Sequence, residues 1–199
     1  MLENLSGYQL ILASNSPRRN ELLNRLGVSY SVRTLKNLDE SYPSDLKTSA
    51  IARYIAVKKA DAYRQKLKSS DLVITADTIV CKGNEVLGKP AGREEAISML
   101  QLLAGDSHWV YTGVCLTSCT FQRSFVVGTE VVFSPLTGDE IDWYVDNYKP
   151  FDKAGAYGVQ EWIGLAGVER ISGSYFNVMG LPVHELYAEL KKVEPLSKC

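Results

Sequence analysis

The hydrophobic pattern of the chain alternates between short apolar runs and longer stretches with helical spacing. Leu10, Ile11 and Leu12 form a run that predicts a buried strand. A polar turn follows, and Leu22, Leu23 and Leu26 then fall on one helical face. Ser16 suits the N-cap of that helix, Pro17 its first position, and Gly27 its stop. Residues 28–35 read as a second strand, followed by an acidic loop with Asp39 and Glu40. Residues 45–67 read as a long helix with Ile51, Ala52, Ile55, Ala56 and Ala60 on one side. The run LVITA, residues 72–76, predicts a central strand that ends on Asp77-Thr78. A turn at Gly83-Asn84 leads into VLGKP, residues 86–90.

Gly92 caps the next helix, whose first turn holds Glu94 and Glu95 and which stops at Gly105. Residues 108–119 and 123–133 predict two long strands joined by a polar connection. Thr137 begins another helix, with Asp139 and Glu140 early and Trp143, Tyr144 and Val145 for packing. Residues 153–160, KAGAYGVQ, read as a glycine-rich loop, and Pro182 opens a last helix to about Lys192. Strands and helices alternating in this way give an α/β fold class.

Composition narrows the picture. A chain of 199 residues fits a single domain, 1–199, with ample core. With 45% hydrophobic and 23% charged residues, disorder is not the expectation. A net charge of −1 offers no large basic field, so no nucleic-acid partner is expected. No apolar stretch is long enough to span a membrane and no secretory segment opens the chain, so a reducing cytoplasm is expected. Cys81, Cys115, Cys119 and Cys199 read as reduced packing or surface thiols rather than zinc ligands. Cys115 and Cys119 are spaced so that one strand would turn both to the same face. A homodimer is compatible with such a chain.

The candidate chemistry begins at Ser14, Ser16, Arg18 and Arg19. Two arginines in the first turn repel the helix dipole unless an anion sits with them. The segment is either a phosphate cradle or a solvated helix start. Asp77 puts a carboxylate where α/β proteins place ligand sites, or is a turn residue. Asp39-Glu40 is a polar pair that a solvated loop also explains. Lys89 is held between Gly88 and Pro90, which suits a phosphate or a plain turn. Of Lys58 and Lys59, one faces solvent and the other leans toward a site. His108 and His184 have no metal spacing and read as structural. Gln160 can read a base edge through its amide or bond to its own loop.

Taken in order, LASNSPRRNELL, Asp39-Glu40, the lysine before Ala60, ADT, LGKP, TGV, GAYGVQ and GSYFNVMGLP resemble the Maf family of nucleotide pyrophosphatases over nearly the whole chain. The resemblance implies a mixed, twisted sheet with flanking helices, an ITPase-like fold of two lobes around a cleft. It implies hydrolysis of a nucleoside triphosphate to the monophosphate and pyrophosphate, with a divalent cation, Mg2+ or Mn2+. By motif, Asp77 would accept the proton and Glu40 would be a catalytic or metal-binding acid. Arg18, Arg19, Lys59 and Lys89 would hold phosphates, and Arg18, Thr78 and Gln160 would mark substrate preference. Ser14 belongs to the same substrate-binding set. Gln160 aligns the chain with the dTTP and UTP branch, extending to modified pyrimidine nucleotides; a 7-methyl-GTP pyrophosphatase and a weakly catalytic nucleotide-binding regulator of septum formation are the alternatives. Asp106 and Glu161-Trp162 depart from the family pattern.

Overall fold

The computed structural model describes residues 2–196, so Cys199 lies outside the described residues. The chain divides into two compact units. The first comprises Met1–Asp77, Thr112–Val127 and Gly180–Cys199; the second comprises Thr78–Tyr111 and Gly128–Met179. The fold is mixed α/β, as expected, around a seven-stranded sheet ordered β2 (Ser31–Val32), β1 (Gln9–Leu12), β3 (Asp71–Lys82), β5 (Ser107–Thr117), β6 (Gln122–Phe133) and β7 (Val168–Ser172), with β4 (Glu85–Leu87) on β3.

In the first unit β1 (Gln9–Leu12) leads into α1 (Pro17–Arg25), β2 (Ser31–Val32), α2 (Thr48–Arg64) and the start of β3 (Asp71–Lys82), whose residues from Thr78 on belong to the second unit. The strand β1 is parallel to both neighbours, pairing Ile11 with Ser31 on one side and Val73 on the other. Connections leave β1 first toward β2 and then cross back to β3. The carboxyl end of β1 is therefore a topological switch point, the place where open α/β sheets bind ligands. The expected strand over 28–35 shrinks to two residues, because only Ser31 and Val32 reach the ladder of β1.

The helix α2 lies close on the sheet because half of its buried residues are alanine. Ala52, Ala56 and Ala60 are fully buried, and Thr75 Oγ1 donates to the Ala56 carbonyl at 2.7 Å. The strand β5 (Ser107–Thr117) presents Gly113 to the backbone of Ala52, where a Cβ would lie 2.3 Å away. Ile11, Tyr63 and Val73 form a neighbouring cluster over which Leu35, Leu38 and Leu67 pack.

The strand β3 does not end on Asp77-Thr78. It runs on to Lys82, where it pairs antiparallel with β4 (Glu85–Leu87) through the Gly83-Asn84 turn. Val80, Cys81 and Lys82 gain partners in Leu87, Val86 and Glu85, so the polar pair interrupts the burial without ending the strand. What ends near Asp77 is the pairing with β1, whose last register partner is Ile74.

In the second unit α3 (Arg93–Leu103) starts from Gly92 and stops before Gly105, whose φ is 72°. The strand β6 (Gln122–Phe133) pairs antiparallel with β7 (Val168–Ser172). A full capping box of Thr137 and Glu140 starts α4 (Gly138–Tyr148). Ile141, Tyr144 and Val145 are its buried residues, whereas Trp143 is 48% exposed and does not serve the core. Two short helices, α5 (Trp162–Ala166) and α6 (Tyr175–Met179), follow. The last helix, α7 (Val183–Lys191), belongs to the first unit and starts from Pro182. Cys115 is buried in β5, while Cys119 lies beyond the strand and is exposed, so the two do not share a face. Among the described residues no helix is long and apolar enough to cross a membrane.

Candidate active site

The turn after β1 is built as the sequence suggests. Ser16 caps α1 by accepting the Arg19 backbone N–H, and Pro17 fills the first helical position. Ser14 is 8% exposed, and its hydroxyl accepts from the Ser16 N–H at 3.2 Å and from Arg19 Nη1 at 3.4 Å. The Arg19 guanidinium turns back onto the sheet. Its Nη1 donates to the Ala76 carbonyl and its Nε to the Gly180 carbonyl, both at 2.8 Å. The fork thus occupies the side of β3 that β1 has left, one residue before Asp77. Burial lowers the pKa of this guanidinium; Asp77 and Glu40 oppose that shift and Arg18 adds to it. These interactions bring Arg18, Arg19, Glu40 and Asp77 into one electrostatic neighbourhood.

Lys59 joins the two carboxylates. It projects from the flank of α2, and its ammonium lies 2.7 Å from Asp77 Oδ1 and 2.8 Å from Glu40 Oε1. The Lys59 and Asp77 side chains are only 12% and 13% exposed. The preceding Lys58 does the matching job outside, holding Asp39 at 2.6 Å and the Ser41 carbonyl at 2.8 Å. Lys58 and the Ser41 N–H and hydroxyl keep the Asp39 carboxyl well below the usual carboxylate range. Two adjacent lysines thus fix two adjacent acids, and Glu40 is drawn from a polar loop onto the site. An acidic pair that a solvated loop would explain turns out to be anchored on both residues.

Ser14, Arg18, Arg19, Glu40, Lys59 and Asp77 therefore gather in the first unit, at the carboxyl end of β1. Thr78 follows Asp77 on β3 and is half-buried. Lys89 and Gln160 belong to the second unit and are exposed. Their segments are tied to each other, since the Gly155 N–H donates to the Gly88 carbonyl at 3.0 Å. His108 is buried with its Nε2 2.7 Å from the Tyr157 hydroxyl and serves the packing, whereas His184 is exposed.

Three features were not read from the sequence. The carbonyls of Ala76 and Gly180 hold Arg19, and only the GSYFNVMGLP motif that contains Gly180 hinted at the second. Lys153 is buried and pairs with Asp152 at 2.7 Å and with Glu161 at 3.1 Å. Asp106, one of the departures from the family pattern, pairs with Lys82.

Asp77 and Glu40 supply an all-oxygen donor set of two carboxylates. Among the described residues no group of three or more histidine, cysteine or acidic side chains gathers for a metal. Two carboxylates suit Mg2+ or Mn2+, hard cations that a protein shares with substrate phosphates rather than enclosing in a cage. Arginine forks and an ammonium beside that pair suit a polyphosphate.

The family model described as Maf-like protein matches residues 9–193. A dTTP/UTP pyrophosphatase of Bacteroides thetaiotaomicron is 59% identical over 97% of this chain and all of its own length. One of Phocaeicola vulgatus is 58% identical over the same shares, and one of Porphyromonas gingivalis is 47% identical over 96% of this chain and 97% of its own. Among solved structures, the Ham1 protein of Staphylococcus aureus aligns over 92% of this chain and 98% of that chain, at 14% identity and a TM-score of 0.49.

Proposed function

The chain belongs to the Maf family, and on that premise we propose that it hydrolyses dTTP and UTP, and modified pyrimidine nucleotides of similar shape, to the monophosphate and pyrophosphate. Relatives at 52% identity and above over nearly the whole chain carry the name dTTP/UTP pyrophosphatase. The observation that carries the mechanism is Lys59 bridging Asp77 and Glu40 beside the half-buried Arg19. dTTP and UTP are nucleotides of the cell interior, so the reading is of a cytoplasmic enzyme.

The triphosphate brings several negative charges to the site. Asp77 and Glu40 would hold a divalent cation, which when bound offsets part of that charge and polarises the phosphate oxygens. Asp77 accepts the proton of the attacking water, with Lys59 keeping its carboxylate oriented. Attack falls on the α-phosphorus, in line with the departing pyrophosphate. Arg18, Arg19, Lys59 and Lys89 stabilise the charge that grows on the leaving group. One well-placed charged donor of this kind is worth about 3 kcal/mol in the barrier, or about 100-fold in rate. Gln160 pairs with the imide edge of uracil or thymine, since an amide both donates and accepts. Thr78 and Ser14 contribute hydroxyls to substrate binding.

A panel of dTTP, UTP, CTP, GTP and 7-methyl-GTP with Mg2+ or Mn2+, with products separated, tests this reading. dTTP and UTP should turn over fastest and give monophosphate plus pyrophosphate. Diphosphate plus phosphate contradicts the bond assignment, and faster turnover of 7-methyl-GTP contradicts the base assignment. Asp77→Asn should abolish pyrophosphate release while nucleotide binding survives; unchanged turnover removes Asp77 from the proton-accepting role.

A further inference from the structure

Gln160 stands at the end of a loop held from below by a buried network. The backbone N–H of Gly158 donates to the Tyr144 hydroxyl at 3.0 Å, and that hydroxyl donates in turn to Glu161 Oε2. Glu161 Oε1 is held 3.1 Å from the buried Lys153 ammonium, and the Glu161 N–H donates to the Gly158 carbonyl at 2.9 Å. Tyr144 is fully buried in α4, its ring stacked on Tyr148 at 5.1 Å. One phenol therefore fixes the residues on both sides of Val159-Gln160, from an element outside the loop. Gly158 completes the arrangement. A Cβ there would fall 2.7 Å from the Glu161 carboxyl carbon and 2.9 Å from the Gln160 amide nitrogen, so both side chains fold over the space it leaves.

The chemistry of the bases makes such a clamp consequential. Uracil and thymine present a ring N–H between carbonyls; cytosine presents an exocyclic amine beside a bare ring nitrogen. A free glutamine amide satisfies either by turning over, because its oxygen and nitrogen ends are nearly isosteric. Choosing dTTP and UTP over CTP requires the amide to be held in one orientation.

We propose that Tyr144 is a positioning residue for substrate selection, which, through Gly158 and Glu161, holds the Gln160 amide in the orientation that accepts uracil and thymine and rejects cytosine. The inference rests on the reading of Gln160 as the base-contacting residue. Glu161 has a role in it that accounts for a carboxylate at this position. Bonded to Tyr144 and Lys153, it keeps the phenol accepting from the loop backbone and donating toward the carboxylate.

The test compares Tyr144→Phe, Gln160→Ala and the double variant, reading kcat and KM separately for dTTP, UTP and CTP. Tyr144→Phe keeps the ring and its stacking and removes only the hydroxyl. The ratio of kcat/KM for dTTP over CTP should fall about tenfold, the scale of one buried hydrogen bond. The change should lie in KM, with kcat for dTTP within about threefold, since the phosphate-binding groups are untouched. Glu161→Gln, whose amide oxygen still accepts from Tyr144, should fall between wild type and Tyr144→Phe. Adding Tyr144→Phe to Gln160→Ala should change the ratio by less than about twofold, because the two act as one unit. If Tyr144→Phe lowers kcat for every nucleotide alike, or if its effect adds in full to that of Gln160→Ala, the positioning role is overturned. If Gln160→Ala itself leaves the ratio unchanged, the base-contacting role of Gln160 falls and the inference falls with it. If Gln160→Ala lowers the ratio and Tyr144→Phe does not, only the clamp falls.

Discussion

Lys59 donates to Asp77 at 2.7 Å, with both side chains almost wholly shielded from water. The same ammonium reaches Glu40 at 2.8 Å, so one cation offsets two carboxylates that would otherwise repel each other. Replacing Lys59 with methionine keeps the length and removes the charge. Pyrophosphate release by Lys59→Met should fall about 100-fold or more, with circular dichroism unchanged. Lys59→Arg should retain part of the activity, because the charge survives but its geometry does not. A methionine variant at the wild-type rate would remove Lys59 from the reaction.

Arg19 is anchored by the fold at the candidate site. Its fork joins the carbonyls of Ala76 and Gly180, one on β3 before Asp77 and one in the chain before α7. A lysine offers no planar fork and cannot serve both carbonyls in the same geometry. Arg19→Lys should therefore lose about 2 kcal/mol of stability as well as activity. Urea unfolding and steady-state kinetics on the same preparation check both. Full stability with reduced activity would leave Arg19 a phosphate ligand without the anchoring role.

Local features of this fold were legible and non-local ones were not. Ser16, Pro17 and Gly27 bound α1, and Thr137 with Glu140 starts α4, because caps act over a single turn. The continuation of β3 beyond Asp77-Thr78 rests on a short hairpin ladder, Val80–Lys82 against Glu85–Leu87, which the polar pair separates from the apolar run before it. β2 shows the opposite error. Its sequence alternates well, but only two residues meet a partner strand. At the site, the sequence brought forward Arg18, Arg19, Glu40, Lys59 and Asp77 as candidates, and these side chains gather. The fastening of Arg19 was not legible, because Ala76 and Gly180 contribute backbone carbonyls, which carry no mark in the sequence. The clamp under Gln160 was hidden similarly: Tyr144 read as a packing residue of α4, and its hydroxyl acts on a loop fourteen positions away.

Gly113 is where α2 touches the sheet. A Cβ at this position would stand 2.3 Å from the carbonyl carbon and oxygen of Ala52 and the amide nitrogen of Arg53. Those are backbone atoms in the middle of a helix and cannot swing aside. Gly113→Ala should push α2 off the strand and cost about 3 kcal/mol or more. Because α2 carries Lys59, activity should fall further than stability alone explains. Chemical denaturation and turnover at a temperature where the variant is folded separate the two effects. A variant as stable as the wild type would show that α2 can shift without cost.

His108 makes stability depend on pH. It is buried between Phe133 and Tyr157, with ring centroids at 5.1 and 5.4 Å. Burial holds its pKa down at about 4, with Lys82 adding to the shift and Asp106 opposing it. In the unfolded chain the imidazole takes up a proton near its ordinary value of about 6.5. Between those values the unfolded state binds more protons than the folded one, so stability rises with pH across this window. It is fully present above the unfolded value and declines as pH falls toward 4, by up to about 3 kcal/mol. His108→Phe keeps an aromatic ring against Phe133 and Tyr157 but has nothing to protonate. It loses the bond to the Tyr157 hydroxyl, a cost that is the same at every pH. Urea midpoints measured from pH 7.5 down to pH 4.5 should therefore fall more steeply for the wild type, and the gap between the two proteins should narrow in acid. Parallel profiles would mean that His108 takes no part in the acid sensitivity.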